Sequence, residues 1–404
     1  MNRKTHRYAA AAGISLAAMV ALAACGGSSS GGGTPSGGSS SGSSNVPDIS
    51  ATSFTPDFAA MAQLKDLAAS GKGKIGVLLP DTVTSARYVE FDAPLLTKAF
   101  QAAGLTSSDF SVQNAHGDNA TQVSQAQADI TNGASVLIVD PLTSGVGAQI
   151  EKYGKQHGVA VIDYDRLTLG GQRSYYISFD NVKVGELIGQ GFADCATAWG
   201  VKSPQIIEMK GDPTDNNATL FAQGYEKVIK AHPDWKVVAT PAGTWDPPTA
   251  LNEFTQAFTA HPEANGAIIP NDANNAPIIS YLKNHGVKAK TFPTTGQDAS
   301  SVGLQNVLAG YQCGTVYKPI YLEAQAAAAV ALYVRAGKTP PSDLVNGQTA
   351  DTQANTQVPS VLLTPVWVTT DNMNDTVIKD GAVKASDICT QPLKSACKAA
   401  GISG

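Results

Sequence analysis

Asp118-Asn-Ala-Thr-Gln-Val-Ser-Gln-Ala-Gln-Ala-Asp-Ile-Thr-Asn-Gly133, followed by Ala134-Ser-Val-Leu-Ile-Val-Asp-Pro141, is the stretch that decides the architecture. Asp118 and Asn119 can cap a helix, residues 120–132 can form it, and Gly133 can end it. Val-Leu-Ile-Val at 136–139 is then a continuous apolar run, the pattern of a parallel strand buried on both faces. A helix that feeds such a strand is part of a βαβ unit.

The same alternation extends in both directions. Strands are expected at 74–80, 110–115, 135–141, 159–165 and 175–180, and again at 205–211, 236–243, 266–272, 291–298 and 314–318. Helices at 187–199, 218–230, 276–284 and 321–336 fit between them. The spacing splits the strands into two sets of five, before and after residue 181. Two similar α/β lobes with parallel sheets are the simpler account, and a closed (β/α)₈ barrel is the competing topology.

Composition narrows the function. The 404 residues are 43% hydrophobic and 15% charged, enough apolar material for two or three packed domains. A net charge of −5 without a long basic run argues against nucleic acid as a partner. The five cysteines lack C-x-x-C spacing, which excludes a zinc ribbon, and neither a metal nor a cofactor is expected.

The N-terminus reads as an address. Arg3, Lys4 and Arg7 precede a 9–24 run of apolar and small residues, as in a secretion signal. Leu22-Ala-Ala-Cys25 resembles the bacterial lipobox, in which the cysteine becomes the first mature residue and takes lipid on sulfur. Residues 26–44 are Gly and Ser except Thr34 and Pro35, a tract suited to a flexible linker. A signal peptide at 1–24, a lipidated Cys25 and a flexible tether to 73 are therefore expected. They would place an exported body outside the cytoplasmic membrane, held to it by lipid. Export favours disulfides. Cys389 and Cys397 are close in sequence and are expected to pair, which leaves Cys195 with Cys313; free buried thiols are the competing reading.

Polar residues collect after the strands, where open α/β sheets bind ligands. Asp81, Arg87 and Tyr88 follow the first strand, and Asp163, Asp165 and Arg166 close the fourth. Asp215-Asn216-Asn217, Trp245-Asp246, Asn271-Asp272, Gln297-Asp298 and Lys318 occupy matching places in the second set. Any one Asp at such a place can be a helix cap, and any one Arg a solvated charge. Repetition in both lobes points to a ligand with many hydroxyls. Asp accepts from a hydroxyl, Arg and Lys donate, Asn does both, and aromatic rings cover C–H faces. A sugar suits that description particularly well.

Arg87-Tyr88, Tyr164-Asp165-Arg166, Asp215-Asn216-Asn217-Ala218, Asn271-Asp272-Ala273, Gly296-Gln297-Asp298-Ala299, Thr315-Val316-Tyr317-Lys318-Pro319 and Leu363-Thr364-Pro365 occur in that order. The chain thereby resembles, from about 74 to 384, the D-xylose-binding branch of the type I periplasmic sugar-binding proteins of bacterial ABC importers. The resemblance implies two Rossmann-like lobes joined by three crossovers, near 180–181, 317–318 and 364–365. It implies an N-terminal lobe of 74–180 plus 318–363, a C-terminal lobe of 181–317 plus 364–384, and leaves 385–404 as a tail of no assigned role. It also implies that Arg87, Asp165, Arg166, Asp215, Asn217, Asn271, Asp298 and Lys318 hold the sugar, with Trp245 stacking on it and Tyr88 standing where the family has a second stacking Trp. Asp140 stands where the family member has no acid: a ligand contact, a supporting residue or a local cap.

On this reading the protein is not an enzyme. It is expected to capture a monosaccharide, D-xylose first, between closing lobes and to deliver it, as a monomer, to an ABC permease. Glucose, arabinose or ribose as ligand, or a membrane sensor as partner, are the alternatives. A glycosidase with paired Asp residues is the competing enzyme, but no G-x-S-x-G, H-E-x-x-H, P-loop or G-x-G-x-x-G occurs in the folded body. A repressor of the same fold would need a DNA-binding helix-turn-helix where the signal and Gly/Ser tract lie.

Overall fold

A computed structural model describes residues 47–85 and 87–402. The signal segment, Cys25 and the Gly/Ser tract lie outside the described residues. Thirteen strands are present among them: β1 (Lys74–Leu79), β2 (Phe110–Asn114), β3 (Ala134–Val139), β4 (Ala160–Tyr164), β5 (Tyr175–Phe179), β6 (Gln205–Glu208), β7 (Lys236–Ala239), β8 (Gly266–Ile268), β9 (Gly296–Gln297), β10 (Thr315–Tyr317), β11 (Gly347–Asp351), β12 (Thr356–Leu363) and β13 (Val366–Val368).

The first sheet has the order β11-β12-β5-β4-β3-β1-β2 and is parallel except for the β11–β12 hairpin at its edge. β3 behaves as its sequence demands. Val136 and Ile138 join the core on one face, while Leu137 and Val139 join the core on the other. Helix Ile320–Arg335 covers the first face, and its Ala326–Ala331 stretch is wholly buried. Small side chains let that helix lie close to the sheet, so it is apolar nearly all round.

The second sheet comes in two pieces, β7-β6-β8 and β13-β10-β9. They are linked by a bridge between Ala267 and Thr294. The expected strand at 291–298 is thus a two-residue strand preceded by a single bridge. Helices Asn181–Ala198 and Asn216–Ala231 pack together over this half. A methyl on Gly224 would meet the Val182 carbonyl and the Glu186 amide, so the crossing requires glycine.

Three connections cross between the halves. β5 ends at Phe179 and leads into helix Asn181–Ala198, which contacts β10 and β13. β10 ends at Tyr317 and leads into the helix covering the first sheet. β12 ends at Leu363 and the chain returns as β13, antiparallel to β10. Two open sheets with separate cores exclude the closed barrel.

Two boundaries need correction. The tether does not reach residue 73. Ile49, Phe54, Phe58, Met61 and Leu64 are buried in the first lobe's core, because residues 47–73 carry apolar side chains that the Gly/Ser tract lacks. Nor is 385–402 a loose tail: Ile388, Cys397 and Ile402 are buried against helix Ser301–Leu308. Disulfides join Cys195 to Cys313 and Cys389 to Cys397. The first closes a loop of 118 residues, for which chain entropy gives on the order of 4–5 kcal/mol.

Candidate ligand cleft

The residues that carry charge sit just past strand ends because there the backbone turns. Asp165 follows β4 with φ 57°, a left-handed conformation that Asp tolerates better than most side chains. Three donors fix its carbonyl: Tyr176 Oη at 2.8 Å, Ser178 Oγ at 2.9 Å and Asn217 Nδ2 at 3.0 Å. Asn217 belongs to the second lobe, so this one carbonyl is read from both sides.

The Asp165 carboxylate is the centre of a buried ion network. Its Oδ1 accepts from Arg87 Nη1 at 2.8 Å and from Lys318 Nζ at 3.1 Å. Arg87 also donates to Asp92 at 2.7 and 2.9 Å and to Glu323 at 2.7 Å. Arg166 donates to Tyr88 Oη at 2.9 Å, and its Nε lies 3.3 Å from Asp215 and 3.7 Å from Asp140. Trp245 Nε1 donates to Asp215 Oδ2 at 3.0 Å. The Trp245 ring lies against Gly211, where an added Cβ would collide with it. Both guanidiniums, of Arg87 and Arg166, lie 5.6 Å from the centre of the Tyr88 ring and fix its plane.

Titration follows the wiring. Burial would raise the Asp165 carboxyl, but Arg87, then Lys318 and Arg166, outweigh it and hold Asp165 well below the ordinary carboxylate range. Burial wins at Asp215 and Asp298, raising both against Arg166 in one case and Lys318 in the other. Burial also pushes Glu323 up to about 8 despite Arg87, so near neutral pH it is largely protonated. Arg87 and Lys318 are then balanced chiefly by Asp92 and Asp165.

Arg87, Tyr88, Asp165, Arg166, Asp215, Asn217, Trp245, Asn271, Asp298 and Lys318 all line one narrow cleft, and all but the partly buried Asp298 are buried. Ser85 and Phe221, which the strand-end pattern did not single out, line it too. Ser85 Oγ donates to Asp298 at 2.9 Å across 213 residues of sequence, a contact with no local signal. Asp140 is not in the lining. It is wholly buried behind Arg166, and neither of its carboxylate oxygens has a hydrogen-bond partner among the described residues. Other strand-end acids are structural: Asp81 holds the 81–84 turn, Asp163 holds Thr168, and Asp246 caps helix Pro247–Ala260. Asp215 and Asn271 do both jobs, capping a helix while facing the cleft. Among the described residues no group of three or more His, Cys, Asp or Glu could hold a metal ion, and no helix is long and apolar enough to cross a membrane.

This geometry has relatives. The family model for the periplasmic binding protein domain matches residues 75–339. The D-xylose-binding periplasmic protein of Escherichia coli (strain K12) is 38% identical over 283 residues, covering 69% of this chain and 82% of that protein. The multiple sugar-binding periplasmic receptor ChvE of Rhizobium radiobacter is 30% identical, covering 79% of this chain and 93% of its own. Among solved structures, an ABC transporter solute-binding protein from Clostridium phytofermentans with bound β-D-glucose aligns with a TM-score of 0.70 at 26% identity, covering 78% of this chain and 99% of that one. With a matching domain, a matching fold and a cleft placed between two open sheets, the chain belongs to the periplasmic binding protein family, on its type I fold.

Proposed function

We propose that the protein is an extracytoplasmic solute receptor that captures a monosaccharide, D-xylose first, between its two lobes and hands it to an ABC permease. The observation that carries this reading is the convergence of ten polar and aromatic side chains, from both lobes, on one small cleft. Arg166 Nε is buried there without a hydrogen-bond partner among the described residues. The two Asp165 bonds to cations both end on Oδ1, which leaves Oδ2 for a ligand hydroxyl. Charged donors and acceptors of this kind form the stronger class of hydrogen bond. Arg87, Arg166 and Lys318 act as donors, Asp165, Asp215 and Asp298 as acceptors, Asn217 and Asn271 as both, and Trp245 and Tyr88 as walls.

The D-xylose preference rests on likeness to relatives so named in Escherichia coli and Haemophilus influenzae. Lipid on Cys25 and the Gly/Ser tract would keep the receptor at the membrane as a monomer. The test is calorimetric titration of sugar-free protein with D-xylose, D-glucose, L-arabinose and D-ribose. One-to-one binding at micromolar Kd or tighter, strongest for D-xylose, is expected. Tight binding of another sugar would keep the mechanism and move the specificity. Failure of all four would overturn the receptor reading.

A further inference from the structure

The C-terminal segment has no part in the cleft, yet it is built into the lobe beside it. Its two helices, Ala385–Ile388 and Lys394–Ala399, have four and six residues, too short to be stable alone. The Cys389–Cys397 disulfide closes the loop between them. Ile388, Cys397 and Ile402 then join one apolar cluster with Leu304, Ala299 and Tyr317. Gln305 Nε2 ties the segment down further, donating to the Asp387 carbonyl at 2.9 Å.

Ala299 and Tyr317 are the chain neighbours of Asp298 and Lys318, both of which line the cleft. Asp298 and Ala299 have φ of 96° and 49°, two consecutive non-glycine residues in the left-handed region. Such a turn persists only when its surroundings over-determine it. From the polar side, Thr315 Oγ1 accepts from the Ala299 amide at 3.1 Å, and Asp272 accepts from the Ser300 amide at 2.9 Å. On the apolar side Ala299 shares one buried cluster with Val383, Ile388, Cys397 and Ile402, and Ala382, Val383 and Asp387 line the same cavity as Asp298.

We propose that the disulfide-closed segment 385–402 is a brace that holds the Asp298–Ala299 turn in its cleft-facing conformation, so that a chain lacking the Cys389–Cys397 bond binds ligand more weakly while both sheets stay folded. The proposal rests on the sugar-receptor reading above. Asp298 touches the ligand; the brace acts through it.

The experiment compares the protein with Cys389→Ser/Cys397→Ser by calorimetric titration with D-xylose, or with whichever of the four sugars the parent binds best. Hydrogen exchange is followed across 296–308 and across β1–β5. Both chains are also made in an Asp298→Asn background. Losing the disulfide is expected to weaken binding about tenfold in the parent and less than about twofold in the Asp298→Asn background, since interacting sites are non-additive. Exchange should quicken at 298–308 and stay unchanged in β1–β5. Equal Kd in the parent background overturns the brace, and so do equal losses in both backgrounds, which would mean general destabilisation. If the double variant does not fold, Ile402→Ala takes its place, with the same expectations at smaller size. If the parent binds no monosaccharide, the receptor reading fails by itself, and the brace then stands or falls on the exchange at 298–308.

Discussion

Asp165→Asn isolates one charge and leaves the shape of the side chain alone. In the free protein Arg87 would keep Asp92 and Glu323. Lys318 would not fare so well: Asp165 is its ion-pair partner among the described residues, and Lys318 is only 4% exposed. Breaking a buried pair from one side costs about 3–5 kcal/mol, because the remaining ion is left without compensation. The ligand loses a charge-assisted bond as well, about 1.5–3 kcal/mol, or roughly 10- to 150-fold in Kd. Urea unfolding of ligand-free protein reads the first quantity and calorimetry the second.

The pH dependence supplies a sign. Asp165 is held below its ordinary value, so the stability it confers is complete above about pH 4 and is lost as the pH falls through that lowered value. The Asn variant should lack this acid-side loss. A second substitution, Lys318→Met, should restore much of the stability but not the binding, since an apolar group of similar length removes the stranded charge. A Kd within threefold of the parent, together with an unchanged unfolding midpoint, would remove Asp165 from both the site and the network.

Gly224→Ala should cost at least about 1–3 kcal/mol, as overpacked contacts do, because the new methyl meets backbone atoms of Val182 and Glu186 that cannot rotate away; an unchanged melting curve would mean that the two helices slide apart freely. Burial raises Asp272 to about 7, so the folded state holds a proton that the unfolded chain has released, and stability should fall as the pH rises from about 4 to 7. In Asp272→Asn that slope should be shallower, and an identical slope would show that Asp272 does not titrate there. Cys25→Ser should free the protein from membranes with sugar affinity intact; a variant still in the membrane fraction would refute lipid anchoring at that residue.

Much of the fold was legible because two-faced burial leaves a mark in a short window. Val136–Val139 is apolar throughout since both faces of β3 are buried, and Ile75–Leu79 of β1 shows the same two-faced burial, whereas β2 and the β11–β12 edge are mixed and only partly buried. β9 misled because within 291–298 only Gly296 and Gln297 pair as strand, with Thr294 forming a single bridge. The packing of residues 47–73 was hidden too, since Gln325 of a distant helix donates to the Thr55 carbonyl and no local pattern announces that contact. At the site, residue types at strand ends were enough to gather the cleft. They could not separate a structural acid from one facing ligand: Asp163 and Asp165 would share a face if the strand ran on, but β4 ends at Tyr164 and the left-handed turn at Asp165 sends its carboxylate toward the cleft while Asp163 holds Thr168. Ser85 was missed because a serine before an arginine is ordinary until Asp298 is seen opposite it.

The contacts across the cleft also bear on why a receptor would close only on its ligand. Arg166–Asp215 joins the two lobes and takes both charges out of water, so its attraction is offset by lost hydration. Arg166 Nε, which faces the cleft, is without a hydrogen-bond partner among the described residues. A ligand hydroxyl that accepts from Arg166 Nε would favour the closed arrangement over the open one, which is the differential affinity that a population shift requires. Small-angle scattering should then show a smaller radius of gyration with bound sugar than without. Asp215→Asn weakens one cross-lobe pair and should leave more of the free protein open. If the free and bound radii coincide in the parent and in Asp215→Asn, the Arg166–Asp215 pair across the cleft has no part in closure.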